Sequence, residues 1–154
     1  MLKAGDRAPE FSLPDHNGRD TSLTSLLNAG ALILWFFSGL PNPTSMIAAR
    51  RIGELHADLR RQGLVVAAVS PRTPDRLQRL RDRHRLPFVL LSDTQRAVAR
   101  MYERTGILGV WRGTYLISRG RTILGSVANP VGLDKHLDFM REAPELVLGM
   151  PLHF

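Results

Sequence analysis

There is no cysteine among the 154 residues of this chain. Disulfides, thiolate-ligated zinc and every reaction that turns on a sulfur nucleophile are therefore excluded for the sequence as written. Also missing is an apolar run long enough to span a bilayer, and the opening residues lack the basic-then-apolar layout of a signal peptide. A cytoplasmic protein with no membrane partner is expected. No G-x-S-x-G elbow surrounds a serine, and Gly106-Ile107-Leu108-Gly109 fits neither the phosphate-loop nor the dinucleotide glycine pattern. His16, His56, His84, His136 and His153 are scattered without metal-pair spacing and without a local partner to activate a serine, so surface positions are expected for most of them. Neither a cofactor nor a metal is called for.

Lysine is scarce as well, and the net charge of +7 is carried almost wholly by arginine. The densest cluster, residues 72–85, alternates with Asp75 and Asp82 on an expected helix whose Leu77 and Leu80 face inward. A nucleic-acid surface needs clustered cations with stacking aromatics nearby. A solvated helix face is the better reading, and no nucleic-acid partner is expected.

What is present describes one domain spanning residues 1–154, long enough to bury a core without disulfides or metals. Residues 31–37 form an apolar, β-branched and aromatic run suited to a strand buried on both faces. The run stops at Ser38-Gly39. Asn42 then offers a helix cap followed by Pro43 with helical φ already set, and Met46, Ile47, Ile52, Leu55 and Leu59 recur at helical spacing. A strand thus delivers a loop to a helix N-terminus. Strands are also expected at 64–69, 88–91, 114–117 and 122–127, the last two joined by a turn at 118–121. Helices are expected around 75–84, after a Thr94 cap through Ala97, Val98 and Met101 with Gly106 near its end, and over 132–141 with Pro144 as terminator. No internal repeat or low-complexity segment interrupts this α/β order.

The loop Trp35-Phe36-Phe37-Ser38-Gly39-Leu40-Pro41-Asn42-Pro43-Thr44-Ser45 resembles the active-site loop of the peroxiredoxin-like alkyl hydroperoxide reductase and thiol-specific antioxidant family, approximately F-Y-R-G-x-W-C-P-x-C. Phe36, Phe37, Gly39 and Pro43 agree with that pattern. Ser38 stands in place of arginine, Pro41 in place of tryptophan, and Asn42 and Ser45 in place of the two cysteines. Gly5-Asp6-Arg7-Ala8-Pro9-Glu10-Phe11-Ser12-Leu13 resembles the family's G-D-x-A-P-x-F-x-L signature, and Leu91-Ser92-Asp93 and Arg112-Gly113-Thr114-Tyr115-Leu116-Ile117 resemble its L-S-D and R-x-T-F-V-I segments. The resemblance implies a thioredoxin-like fold, a central mixed sheet with helices on both faces.

A peroxiredoxin attacks a peroxide with a thiolate and passes through a sulfenic acid resolved by a second thiol. Serine does neither, because its hydroxyl is not ionised without a base and no stable oxygen counterpart of the sulfenic acid exists. Asn42 and Ser45 are thus vestigial positions, with no catalytic residue in the chain as written. Three explanations stand: a natural redox-dead member kept for binding, an engineered Cys-to-Ser form of an active enzyme, or different chemistry on the old scaffold. Engineering accounts for Ser45 but poorly for Asn42 and Pro41, so natural divergence leads. The function expected is that of a non-catalytic binding or interaction protein, the alternative being a thiol-dependent peroxidase or antioxidant oxidoreductase seen in a thiol-free form.

The expected ligand is a small anion or polar molecule held by Pro43, Thr44, Ser45, Met46 and Arg112. Backbone N–H groups at the helix start face the loop, and the resemblance implies that Arg112 approaches it. Against this stand plainer roles: an ion pair for Arg112, a helix cap for Thr44, core packing for Met46, and half-buried packing for Trp111 at the pocket rim. Residues 144–154 carry Leu146, Val147, Leu148, Met150, Leu152 and Phe154 and are too apolar for a solvated tail. They are expected to pack on their own domain or across a homodimer, the state that the resemblance favours.

Overall fold

The computed structural model describes residues 2–102, 113–128 and 132–149. Five strands make the central sheet: β3 (Ala31–Phe36), β4 (Leu64–Ser70), β5 (Val89–Ser92), β6 (Gly113–Ile117) and β7 (Ile123–Val127). Their order is β5-β4-β3-β6-β7, with β3, β4 and β5 parallel and β6 and β7 antiparallel to their neighbours. The first two strands, β1 (Ser12–Pro14) and β2 (Asp20–Ser22), form a separate antiparallel hairpin. Around the sheet lie α1 (Leu23–Ala29), α2 (Pro43–Arg61), α3 (Pro74–His84), α4 (Ala97–Met101) and α5 (Leu133–Val147). This is the thioredoxin-like α/β architecture with helices on both faces of a mixed sheet.

Two apolar layers follow from the period-two geometry of a central strand. Every residue of β3 is buried. Ile33, Trp35 and the following Phe37 enter the layer shared with α2, α3 and α5, where they meet Ile52, Leu77, Leu80, Leu137 and Met140. Leu32, Leu34 and Phe36 enter the opposite layer, shared with α1, α4 and the N-terminal segment, against Leu23, Val98, Tyr102 and Tyr115. Trp35 and Phe37 stack with ring centroids 4.4 Å apart, which packs two large rings below the start of α2.

Several local expectations change. Ile47 lies on the solvent side of α2, 49% exposed, while Met46, Ala48, Ala49 and Ile52 make the buried stripe. Thr94 does not cap α4. The αL residue Arg96 precedes that helix without a side-chain cap, and the buried Asp93 carboxylate accepts from the N–H groups of Val98 and Ala99 at 3.3 and 3.0 Å. Pro144 is not a terminator but sits inside the last turn of α5, buried. The proline lacks the N–H that would bond four residues back, and its ring is buried next to buried Ala143. The β1–β2 hairpin and α1 are elements that periodicity did not reveal, being three to seven residues long. Asp15 organises the hairpin turn, accepting from the N–H groups of Asn17 and Arg19 through one side-chain oxygen, and Ser22 and Ser25 cap α1 reciprocally.

Both long edges of the sheet are occupied in part. Along β7, Gly5 N–H donates to the Ile123 carbonyl, Ile123 N–H to that of Asp6 and Ala8 N–H to that of Arg121. The Arg121 guanidinium reaches back to the Ala8 carbonyl at 3.1 Å. Asp15 bridges to Leu91 beside β5. The signature segment at the N-terminus is thus a strap, fixed further by the Tyr102 hydroxyl on the Pro9 carbonyl at 2.7 Å.

Candidate functional site

The loop between β3 and α2 is closed by its own hydrogen bonds. Asn42 caps α2 with extended backbone angles, its side-chain oxygen accepts from Ser45 N–H at 2.9 Å, and Pro43 opens the helix. Met46 N–H donates to the Asn42 carbonyl at 3.1 Å. Of the three N–H groups expected to face a ligand, those of Ser45 and Met46 are thus engaged within the chain. The Thr44 N–H has no partner among the described residues, and its side chain is exposed. Ser45 and Met46 are buried, Met46 in the core. Arg112 and Trp111 lie outside the described residues, so the expected ligand pocket is described only on its α2 side.

Ser45 Oγ lies 3.1 Å from Ser38 Oγ, which also accepts from Leu40 N–H at 3.2 Å. Ser70 Oγ donates to the Ser38 carbonyl at 3.0 Å and accepts from Arg72 N–H at 3.2 Å. This network holds two serine hydroxyls together with no histidine or carboxylate among their described partners. An activated serine needs a base oriented by a third group; none of that arrangement is present among the described residues. Gly39 makes the close approach feasible. Its φ is +73°, and a Cβ there would stand 2.2 Å from Ser70 Oγ and 2.9 Å from Arg72 Cγ.

Beyond Gly39 and Pro41 the loop borders a cleft of about 200 Å³ whose far wall is α3, with Arg76, Arg79 and Arg83 along it and Arg72 just before the helix. The arginines expected to form a plain solvated face therefore line a concavity beside the β3–α2 loop. Sequence alone does not bring Gly39 against Arg72.

The histidines are less exposed than expected. His16 is buried in the β1–β2 turn, where its Nδ1 accepts from Leu90 N–H at 3.4 Å, and burial followed by the Arg81 cation holds its pKa below the ordinary value. His136 is buried with Nδ1 2.8 Å from Thr114 Oγ1. His56 is half-buried on α2 with a pKa lowered by burial and Arg60. Half-buried His84 is lowered by burial, Arg50 and Arg83. His153 is outside the described residues. Among the described residues no three His, Asp or Glu side chains gather as a metal site, and no helix is long and apolar enough to cross a membrane.

Comparison with known proteins agrees with the fold. Peroxiredoxin Bcp of Escherichia coli K12 is 33% identical over 110 residues, a match covering 71% of this chain and 66%, just under two thirds, of that relative. A putative peroxiredoxin of Mycobacterium tuberculosis H37Rv is 32% identical over 132 residues, covering 80% of this chain and 83% of the relative. Among solved structures, peroxidoxin BcpB of M. tuberculosis superposes with a TM-score of 0.85 at 24% identity, covering 98% of this chain and 99% of that one. A yeast mitochondrial 1-Cys peroxiredoxin gives 0.84 at 16% identity, covering 100% of this chain and 83% of that one. Both superpositions speak to fold alone. The sequence profile of the AhpC/TSA family matches residues 4–125, and with the thioredoxin-like sheet and the thiol-free loop now described, the chain belongs to the AhpC/TSA family.

Proposed function

We propose that this chain is a non-catalytic member of its family: a cytoplasmic binding or interaction protein, acting as a homodimer, in which the β3–α2 loop holds a small anion or polar ligand instead of a peroxide. The observation that carries the reading is the total absence of cysteine. Two relatives carry the name peroxiredoxin, but turnover of that kind needs a thiolate. The closed hydrogen-bonding of Ser38 and Ser45, without a base, speaks against a substituted oxygen nucleophile. For the ligand, the Thr44 N–H and hydroxyl at the start of α2 remain available, and Arg112 is the proposed counter-charge.

A second reading, an active thiol peroxidase represented by a thiol-free form, is favoured by family membership. Asn42 weighs against it, because a residue chosen only to delete a thiol would not be expected to fit the helix start as a side-chain cap. Two measurements test the proposal. Peroxide consumption coupled to dithiothreitol or thioredoxin is expected to equal the protein-free blank, and the natural coding sequence is expected to specify Asn42 and Ser45. Cysteine codons at either position would overturn it in favour of the second reading.

A further inference from the structure

We propose that the cleft between the loop at Gly39 and Pro41 and the arginine face of α3 binds an oligophosphate, a run of two or more phosphoryl groups, free or carried on a small ester. It is a different place from the start of α2, and none of Thr44, Ser45 and Met46 lines it. The two proposals stand or fall separately.

Arg76, Arg79 and Arg83 follow one another on α3 at intervals of three and four residues, the spacing that keeps side chains on one helix face, and Arg72 stands in the segment just before the helix. From Arg76 to Arg83 the helix rises about 10 Å. Cations in series along that distance match a ligand whose negative charges are also in series, better than a single point anion. Guanidinium groups suit phosphoryl oxygens because each presents a planar fork of donors. Among the described residues little neutralises them. Asp75 lies 3.9 Å from Arg79, and both side chains are mostly exposed. Arg72, Arg76 and Arg83 have no ion pair among the described residues, and Asp82 does not line the cleft.

The mouth of the cleft is built rather than incidental. Arg72 is held by its backbone on both sides, its N–H donating to Ser70 Oγ at 3.2 Å and its carbonyl accepting from Ser92 Oγ at 2.6 Å. Its aliphatic stem passes where only a glycine leaves room, at Gly39. At the other end Arg50 reaches across from α2, its Nη2 3.3 Å from His84 Nδ1. Burial, then the Arg50 and Arg83 cations, lower the pKa of His84, and the positive field those cations add is the field an oligophosphate would enter. Among the described residues no Phe, Tyr or Trp lines the cleft, His84 being its one ring, so the extended stacking platform that supports single-stranded nucleic acid binding is not seen there.

The test is a titration of the full chain with tripolyphosphate, orthophosphate, a nucleoside triphosphate and a single-stranded oligonucleotide at roughly 0.1 M salt, where diffuse surface attraction is largely screened. Saturable binding is expected for tripolyphosphate and the nucleoside triphosphate, and much weaker binding for orthophosphate. Equal affinity for the first two would identify the phosphoryl chain as the recognised group; tighter nucleotide binding would identify the ester as the source. Both outcomes support the site. The double variant Arg76→Ala, Arg83→Ala should bind at least about tenfold more weakly, whereas Arg51→Ala, Arg100→Ala, which removes the same charge elsewhere, should bind unchanged. Amide shifts in an NMR titration should centre on Gly39 and Arg72. Absence of saturation, equal loss in both double variants, shifts centred on Thr44 and Met46, or affinity that grows with oligonucleotide length would each overturn the proposal.

Discussion

Ser38 and Ser45 place their hydroxyl oxygens 3.1 Å apart across the β3–α2 loop, so the position matched to a cysteine in the family's loop is occupied by a hydroxyl already bonded within the chain. The chain as written should consume peroxide no faster than buffer. Ser45→Cys would put a sulfur at the first turn of α2, where the dipole and the Ser38 hydroxyl favour the ionised form. Its alkylation rate against pH should report a thiol pKa below the ordinary value of about 8.5. A pKa at or above that value would show that the loop no longer stabilises an anion.

Asn42 holds Ser45 N–H through its side-chain oxygen. Asn42→Ala should destabilise the protein by about 1 kcal/mol, and Asn42→Asp should retain most of the stability by keeping the acceptor. Urea unfolding of both variants checks the pair, and equal losses would show that the side-chain acceptor is not what matters.

Gly39 carries φ of +73° and abuts Ser70 Oγ. Gly39→Ala should cost roughly 1–3 kcal/mol, from left-handed strain together with the clash. Combining it with Ser70→Gly removes part of the clash, so the two losses should add to more than the double variant shows. Strict additivity in a double-mutant cycle would mean the contact is not tight.

His16 accepts from Leu90 N–H through Nδ1, which requires that nitrogen to carry no proton. Burial, then Arg81, depress its pKa below 6.5 against opposing contributions from Asp15, the Leu90 backbone contact and Asp82. An unfolded chain therefore binds this proton more readily than the folded one. Stability should be full above the unfolded value and fall as the pH drops through about 6.5 toward the folded pKa. His56 and His84 contribute with the same sign. The melting temperature of His16→Asn should change less between about pH 7.5 and 5.5 than that of the parent; parallel profiles would contradict the assignment.

Truncation after Ala143 deletes buried Pro144 and Leu146, which packs on the core and borders Phe139 and Gly125. It should lower the melting temperature or shift the oligomeric state seen by light scattering. Val147 and Leu148 are exposed, Leu148 by 72%, so they remain candidates for the proposed dimer contact. Residues 150–154 lie outside the described region.

The sheet was readable because β3 and β4 are unbroken apolar runs, and α2 because Asn42 and Pro43 mark its start unambiguously. Thr94 misled because Asp93, one residue earlier, supplies its carboxylate to the α4 N–H groups from a buried strand end, a contact between side chain and helix that spacing does not encode. Ile47 looked like a core residue because β-branched apolar residues on an amphipathic helix usually are; its neighbour Met46 takes the inward position. The histidines were read as surface groups because nothing local announces the pocket that Leu90 or Thr114 provides. The arginine cleft was hidden for the same reason. Asp75 and Asp82 made the stretch look balanced, whereas the concavity arises only when Gly39 folds against Arg72.

The strap along β7 joins residues more than a hundred positions apart, Ala8 to Arg121 and Leu2 to Ser126. During synthesis residues 2–8 emerge well before β7 and must wait, unpaired, until almost the whole sheet exists to receive them. Loop closure of that length is entropically late and slows the final step of folding. Until then β7 presents an open edge to other nascent chains. Removing residues 2–8 should therefore be felt less as a lost contact than as a persistent tendency to associate during refolding.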